Sequence, residues 1–480
     1  MPKLPARKLR SKSKPNSKAE LLNSEHFRFL SDALRSLNEG FQNLPECKND
    51  APGDDRLAKV LTATAERLRD NYPYFHPLYA GQMLKPPHPV AQLAYALAMT
   101  INPNNHALDG GRATSAMEKE AVAQLAAMFG WKKFLGHLCS GGTMANLEAL
   151  WVDGQSVPGK TIVASSQSHY THERISKVLQ LPFETIPSDA RGRIDLKLLE
   201  KRLKRRGVGT IVVTMGTTAT GAVDPLHEIL ALRKKYNFRI HADAAYGGYF
   251  TLVENLEPDT QKAFAALGEA DSIAIDPHKH GLQPYGCGCI LFKDPGVGRW
   301  YKHNSPYTYF TSTDLHLGEI SLECSRPGAA AAALWATQKL LPLNKGGEFA
   351  QGLTKSSEAA RAMYERLTCD ARFITPFAPE LDIVIFALRA ETVSATSLLS
   401  RRIFDAAAQR DLHLALADLP VALFQHLPPN MKRDRDIITC LRSALMKPAH
   451  FDWVDQIWQR LLASVADVEN RKTQISRHGK

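Results

Sequence analysis

The chain has 480 residues, enough for a large core in two or three packed lobes. Apolar residues make up 44% and charged residues 23%, which excludes a disordered or collagen-like composition. The net charge of +11 is uneven: residues 1–18 carry Lys3, Arg7, Lys8, Arg10, Lys12, Lys14 and Lys18 without an acid, seven of the eleven charges.

The Pro/Ser/Lys-rich tail over 1–20 is expected to be disordered, a solvated segment rather than a nucleic-acid contact. It lacks the apolar stretch of a signal peptide, and no apolar run reaches 18 residues, so no membrane span is expected. Seven cysteines, an odd count with no Cys-x-x-Cys pair, argue for a reducing, cytoplasmic setting and against a metal site. Cys287 and Cys289 share a strand face and read as small buried hydrophobes.

Residues 21–80 read as a helical arm. Leu21, Leu22, Phe27, Phe29 and Leu30 begin an amphipathic pattern that resumes over 57–61, after Pro52-Gly53. Residues 71–89 are rich in proline and aromatics and exclude regular structure. Helices are expected over 90–101 and 114–129, the second with Ser115 and Glu118 at capping-box spacing. From Gly136 onward strands at 162–164, 211–214, 238–242 and 273–275 alternate with helices at 172–179 and 226–236. That alternation predicts an α/β fold with a mostly parallel sheet and a site at the carboxyl ends of its strands. Helices at 353–367 and 453–463 and strands at 373–377, 382–386 and 438–445 predict a small α+β C-terminal domain. The expected division is a tail (1–20), an arm (21–80), a large domain (81–340) and a small domain (341–480).

Three stretches carry chemistry. In residues 271–292, Lys279 lies on a loop between two apolar strands, the place of either a snorkelling cation or a buried neutral amine. Thirty-six positions upstream (279 − 243), Asp243 closes another strand. Further back, Ser140-Gly141-Gly142-Thr143 is a Gly-rich turn opening a helix, where backbone N–H groups and the helix dipole can hold a phosphate. A phosphate cradle, a strand-end carboxylate and a loop lysine are the parts that hold pyridoxal phosphate.

Together SGGTMAN, SQSHYTHER, HADAAYGG and DPHKHG resemble the group II pyridoxal-phosphate-dependent amino acid decarboxylases, over roughly residues 71–448. The resemblance implies the type I aminotransferase fold, and decarboxylation of an L-amino acid through a Lys279 Schiff base and a quinonoid stabilised by Asp243. It implies that His169 stacks on the cofactor ring with Ala245 on the other face. Gly142, Thr143 and Ser140 would hold the phosphate. Thr217 or Thr218, with Thr218 preferred, would contact the ring, and His278 would lie near the phosphate or substrate. Gln82 and Tyr79 are the implied substrate contacts; Arg326 could bind a substrate carboxylate bidentately or equally pair with Glu319 or Glu323. Tyr307 or Tyr309 would return the proton, from a loop reaching the partner's site in a homodimer. His-Lys-His-Gly also resembles the sphingosine-phosphate lyases, but the lysine they carry soon afterwards is missing from Gln283-Pro284-Tyr285-Gly286. A carbon–carbon lyase is therefore the alternative, and a non-catalytic scaffold is disfavoured by the intact Lys279 and Asp243.

Overall fold

The computed structural model describes residues 22–45, 55–302 and 320–478. The first unit ends at Leu44 and contributes one described helix, Ser24–Glu39. Asn23 caps it by accepting the His26 N–H at 3.1 Å, and His26 Nδ1 accepts the Asn23 N–H in return. The second unit, Pro45–Lys480, opens on helix Asp55–Leu68 and holds both sheets.

The larger sheet is built from β1 (Leu135–Cys139), β2 (Thr161–Ser165), β3 (Phe183–Ile186), β4 (Val208–Thr214), β5 (Arg239–Asp243), β6 (Ser272–Ile275) and β7 (Gly288–Phe292). Their order is β1-β7-β6-β5-β4-β2-β3. The strands from β6 to β3 are parallel, whereas β7 runs antiparallel to both β6 and β1. Every residue of β4, β6 and β7 is buried, as expected of strands covered on both faces. The helices between them include Gly142–Ser156, Thr171–Val178 and Leu226–Tyr236. The last ends where Asn237 turns into the left-handed region (φ 48°).

The smaller sheet is antiparallel, in the order β10-β11-β9-β8, with β8 (Phe373–Ile374), β9 (Ile383–Leu388), β10 (Ala415–Pro420) and β11 (Ile437–Ala444). Phe386, Leu441, Met363, Ile403 and Ile457 join it to helices Glu348–Cys369, Val393–Ala408 and His450–His478 in one buried cluster.

One expectation is corrected and one strand is added. The capping box at Ser115 and Glu118 does not form, because helix Arg112–Met128 starts earlier, after Gly111, with no side-chain cap. Glu118 is buried and accepts instead from Asn105 Nδ2 (2.6 Å), the Leu138 N–H (3.0 Å) and Arg326 (2.6 Å). β1 is a strand beyond those expected from the sequence, and Gly136-His137 lies in the middle of it. His137 is nevertheless buried, its Nε2 lying 2.9 Å from the Glu148 carboxylate.

Candidate active site

The carboxyl ends of β1, β2, β4, β5 and β6 face one cavity of about 330 Å³. From β1 come Ser140, Gly142 and Thr143, from beyond β2 His169, and from beyond β4 Thr218. β5 supplies Asp243 and Ala245, and β6 leads into Asp276, His278 and Lys279. All nine residues expected to contact the cofactor line this one space. Thr217 is turned away, its hydroxyl 2.8 Å from that of Thr220.

The turn's glycines are required by close approach. Gly141 has φ 156°, and a Cβ on it would lie 3.2 Å from His278 Cε1. A Cβ on Gly142 would lie 2.8 Å from Asp276 Oδ2. Gly142 is also the first residue of its helix, so its N–H and that of Thr143 precede the first intrahelical bonds and point to where an anion would sit. The Ser140 N–H already donates to Glu323 Oε2 (2.9 Å), which leaves Ser140 its hydroxyl for a ligand.

Asp243 is fixed from behind. Its Oδ2 lies 2.8 Å from His172 Nε2 and accepts from Asn146 Nδ2 at 3.3 Å, and its Oδ1 accepts the Ala245 N–H at 3.2 Å. Burial alone would raise this carboxyl. The His172 hydrogen bond, followed by the charges of His172 and Lys279, outweighs burial and holds it well below the usual carboxylate range. His241 completes the shell: its Nε2 lies 2.8 Å from Asn146 Oδ1, and burial pushes it down to about 3.

Lys279 is half-buried, not the isolated buried amine that the sequence left as one option. Its Nζ lies 3.0 Å from Asp276 Oδ2, which His278 Nε2 also approaches at 3.5 Å. Burial lowers the pKa of His169 against the opposing charge of Asp243, with the Lys279 charge adding to the lowering, which favours a neutral ring. Buried polar atoms on the cavity residues, Asp276 Oδ1 and His278 Nδ1, have no partner among the described residues. A cradle that a Cβ would fill, an ionised carboxylate and a lysine amine fit pyridoxal phosphate.

The expected substrate contacts scatter. Gln82 lies in an adjoining recess of about 360 Å³ that shares His169 and Thr218 with the cavity. Tyr79 packs instead among Tyr74 (ring centroids 4.9 Å apart) and His413 (6.2 Å), and its carbonyl accepts from Lys447. Arg326 is corrected: its guanidinium is buried on Glu118 (2.6 Å), the Leu138 carbonyl (2.7 Å) and the Asn105 carbonyl (3.1 Å), so it supports β1 and does not line the cavity. Tyr307 and Tyr309 lie outside the described residues.

Four residues escaped the sequence reading: His172, Asn146, Asp276 and Arg442. The first three stand within or beside the quoted motifs, which was the available signal. Arg442 lies on β11 and lines the Gln82 recess. It is buried, donating to the Gly81 carbonyl (3.1 Å), Gln82 Oε1 (3.4 Å) and the Ala219 carbonyl (3.2 Å), while its Nη2 has no partner among the described residues.

Comparison with known proteins agrees with this geometry. Residues 67–389 match the pyridoxal-dependent decarboxylase conserved domain. An L-tyrosine decarboxylase of Enterococcus faecium is 26% identical over 548 aligned residues, covering 87% of this chain and 89% of that one. A probable L-tyrosine/L-aspartate decarboxylase of Methanothrix thermoacetophila is 30% identical, covering 72% and 84%. The crystal structure of mouse CSAD superposes with a TM-score of 0.72 at 19% identity, covering 90% of this chain and 92% of that one. That of Oryza sativa TDC with PLP and tryptamine gives 0.72 at 17%, covering 94% and 100%. The fold is thus that of the type I pyridoxal-phosphate enzymes, and the decarboxylase names do not favour the carbon–carbon lyase. With two thirds of its length matched by the family's domain, the chain belongs to the pyridoxal-dependent decarboxylases and is an amino acid decarboxylase that uses pyridoxal phosphate.

Proposed function

We propose that the substrate is an acidic L-amino acid, and that Arg442 with Gln82 holds its side-chain carboxylate. The observation that carries this reading is the unpartnered, buried Nη2 of Arg442 in a recess sharing His169 and Thr218 with the cofactor cavity. An arginine fork suits a carboxylate. A cation on the carboxylate that departs as neutral CO2 would stabilise the ground state more than the transition state. Arg442 is therefore better matched to the carboxylate that stays. Named relatives include an L-aspartate decarboxylase of Thermococcus kodakarensis, 28% identical and covering 59% of this chain and 73% of that one, in keeping with this choice.

The cofactor, when bound, supplies an aldehyde for covalent capture of amines and a conjugated ring that accepts the electron pair left by CO2. The chain's residues prepare it. Lys279 presents the amine that anchors it, and Asp276 holds that amine in place. Asp243, kept ionised by His172, holds the proton on the ring nitrogen. His169 and Ala245 form the two walls against the ring. The Gly142 and Thr143 amides hold the phosphate, with the Ser140 hydroxyl beside them. The same reading gives a cytoplasmic homodimer, with a cofactor-binding part at 81–340 and a smaller part at 341–480.

The test is CO2 release from L-aspartate, L-glutamate, L-cysteine sulfinate and L-tyrosine. Release should favour an acidic substrate, vanish in Lys279→Ala, and show at least a tenfold rise in KM in Arg442→Met. Faster release from tyrosine, with KM unmoved in Arg442→Met, would refute the acidic reading.

A further inference from the structure

A second cavity, of about 480 Å³, lies behind the lysine loop, separate from the cofactor space and from the Gln82 recess. Its walls are apolar, with Phe75, Leu282, Phe349 and Leu353 among them. Its inner lining is basic. Lys85 and Lys447 both line it, and each ammonium meets a carbonyl instead of a carboxylate. Lys85 Nζ is 3.4 Å from the Met446 carbonyl, and Lys447 Nζ is 2.6 Å from that of Tyr79. His280 also lines it, 1% exposed, and its Nδ1 has no partner among the described residues. Two amines that meet carbonyls, with Asp382 as the one buried carboxylate nearby among the described residues, leave this lining short of negative charge. The exposed residues Glu348 and Lys355, of opposite charge, also line the cavity and so leave its balance unchanged.

The cavity also touches the active site through side chains. His280 Nε2 lies 3.3 Å from Asp382 Oδ2, in contact but without hydrogen-bond geometry, and Asp382 Oδ1 accepts from the Tyr246 hydroxyl at 2.6 Å. Tyr246 lines the cofactor cavity, and all three residues are buried. With Lys85 and Lys447 both protonated, as a bound anion would favour, and Asp382 ionised, one positive charge is left over, which matches a monoanion. The volume lies in the range of small-molecule pockets. We propose that this cavity is an effector site for an organic monocarboxylate with an apolar body, coupled to the cofactor through His280, Asp382 and Tyr246. Its head group meets Lys85 and Lys447, and its body lies against Phe349 and Leu353.

The probe is sodium octanoate, titrated calorimetrically into the holoenzyme, with octanol and sodium sulfate as controls. Octanoate should bind at one site per chain, at least tenfold tighter than either control. Lys85→Met should weaken it at least tenfold and Lys85→Arg should restore it. Ala449→Trp, at an exposed lining residue, should block it while the fold stays intact. Arg442→Met should leave octanoate binding unchanged. Binding should also shift the cofactor's absorbance band, and Asp382→Asn should remove that shift while octanoate still binds. The site is overturned by no octanoate binding, by equal binding of octanol or sulfate, by binding that survives both Lys85→Met and Ala449→Trp, or by binding lost in Arg442→Met. Binding without any change in the band overturns the coupling.

Discussion

Replacing Gly288 by alanine should loosen the cofactor by moving the phosphate turn. Gly288 opens β7 and pairs with Cys139 at the end of β1. A Cβ there would stand 2.5 Å from Gly141 Cα, 2.6 Å from its carbonyl carbon and 2.9 Å from its nitrogen. All three atoms are backbone, so no rotamer can relieve the contact. Ordinary contact begins at 3.4 Å, so the turn must retreat by about 0.9 Å (3.4 − 2.5). Overpacking of this kind costs about 1–3 kcal/mol of stability. A displacement near 1 Å in a positioned site costs on the order of a hundredfold in rate. The expected outcome is a tenfold to hundredfold weaker affinity for pyridoxal phosphate, read by absorbance titration of apoenzyme, with a lower urea midpoint. Gly286→Ala is the control. Gly286 has φ 92° but no atom within 4 Å of its would-be Cβ, so alanine there strains the backbone without touching the turn. It should lose about 1 kcal/mol of stability and little affinity. Wild-type affinity in Gly288→Ala, or equal losses in the two variants, would refute the close-approach account.

Three further perturbations test the shell. His172→Leu removes a hydrogen bond to a charged group, about 1.5–3 kcal/mol. At about 1.36 kcal/mol per pKa unit, Asp243 should rise by about 1–2 units. Its folded pKa is depressed, so what depends on its charge is present at neutral pH and lost as pH falls. The acid limb of the cofactor-affinity profile should therefore move up by about 1–2 pH units, and an unmoved limb would remove His172 from the shell. Arg326→Met strands the buried Glu118 and should cost about 3–5 kcal/mol in urea denaturation with KM unchanged. A KM effect without loss of stability would return Arg326 to the substrate. Burial, then the Lys85 charge, pushes Lys447 down to about 7. Between about pH 7 and 10.4 the unfolded chain carries a proton that the native state lacks, so stability should rise with pH there. The slope should flatten in Lys447→Met, and a slope unchanged by that substitution would refute the depressed pKa.

The site's front was legible because the α/β pattern places its parts by rule. Lys279 and Asp243 each follow an apolar strand, and parallel strands bring such ends together wherever they fall in the chain, while the 140–143 turn announces itself by its glycines at the start of a helix. What failed were the contacts that no strand end announces. Arg326 was open either to substrate or to Glu319 or Glu323, because its actual partner, Glu118, is 208 positions away and read as part of a helix cap. Its burial on Glu118 follows from the Asn104–Pro327 bridge, which brings the 326 segment back beside β1. Arg442 was unreadable for the opposite reason. It stands in an apolar strand of the small sheet, where alternation predicts a surface cation, and only the seating of β11 against Gly81 and Ala219 buries it. His172 falls between these cases. It sits three residues beyond His169, and the helix beginning at Thr171 carries it away from the cavity wall and behind Asp243. One local motif thus supplies two histidines with different jobs. His169 lines the cavity where the ring would lie, whereas His172 holds the charge that the ring nitrogen would meet, and only the three-dimensional path of the helix distinguishes them.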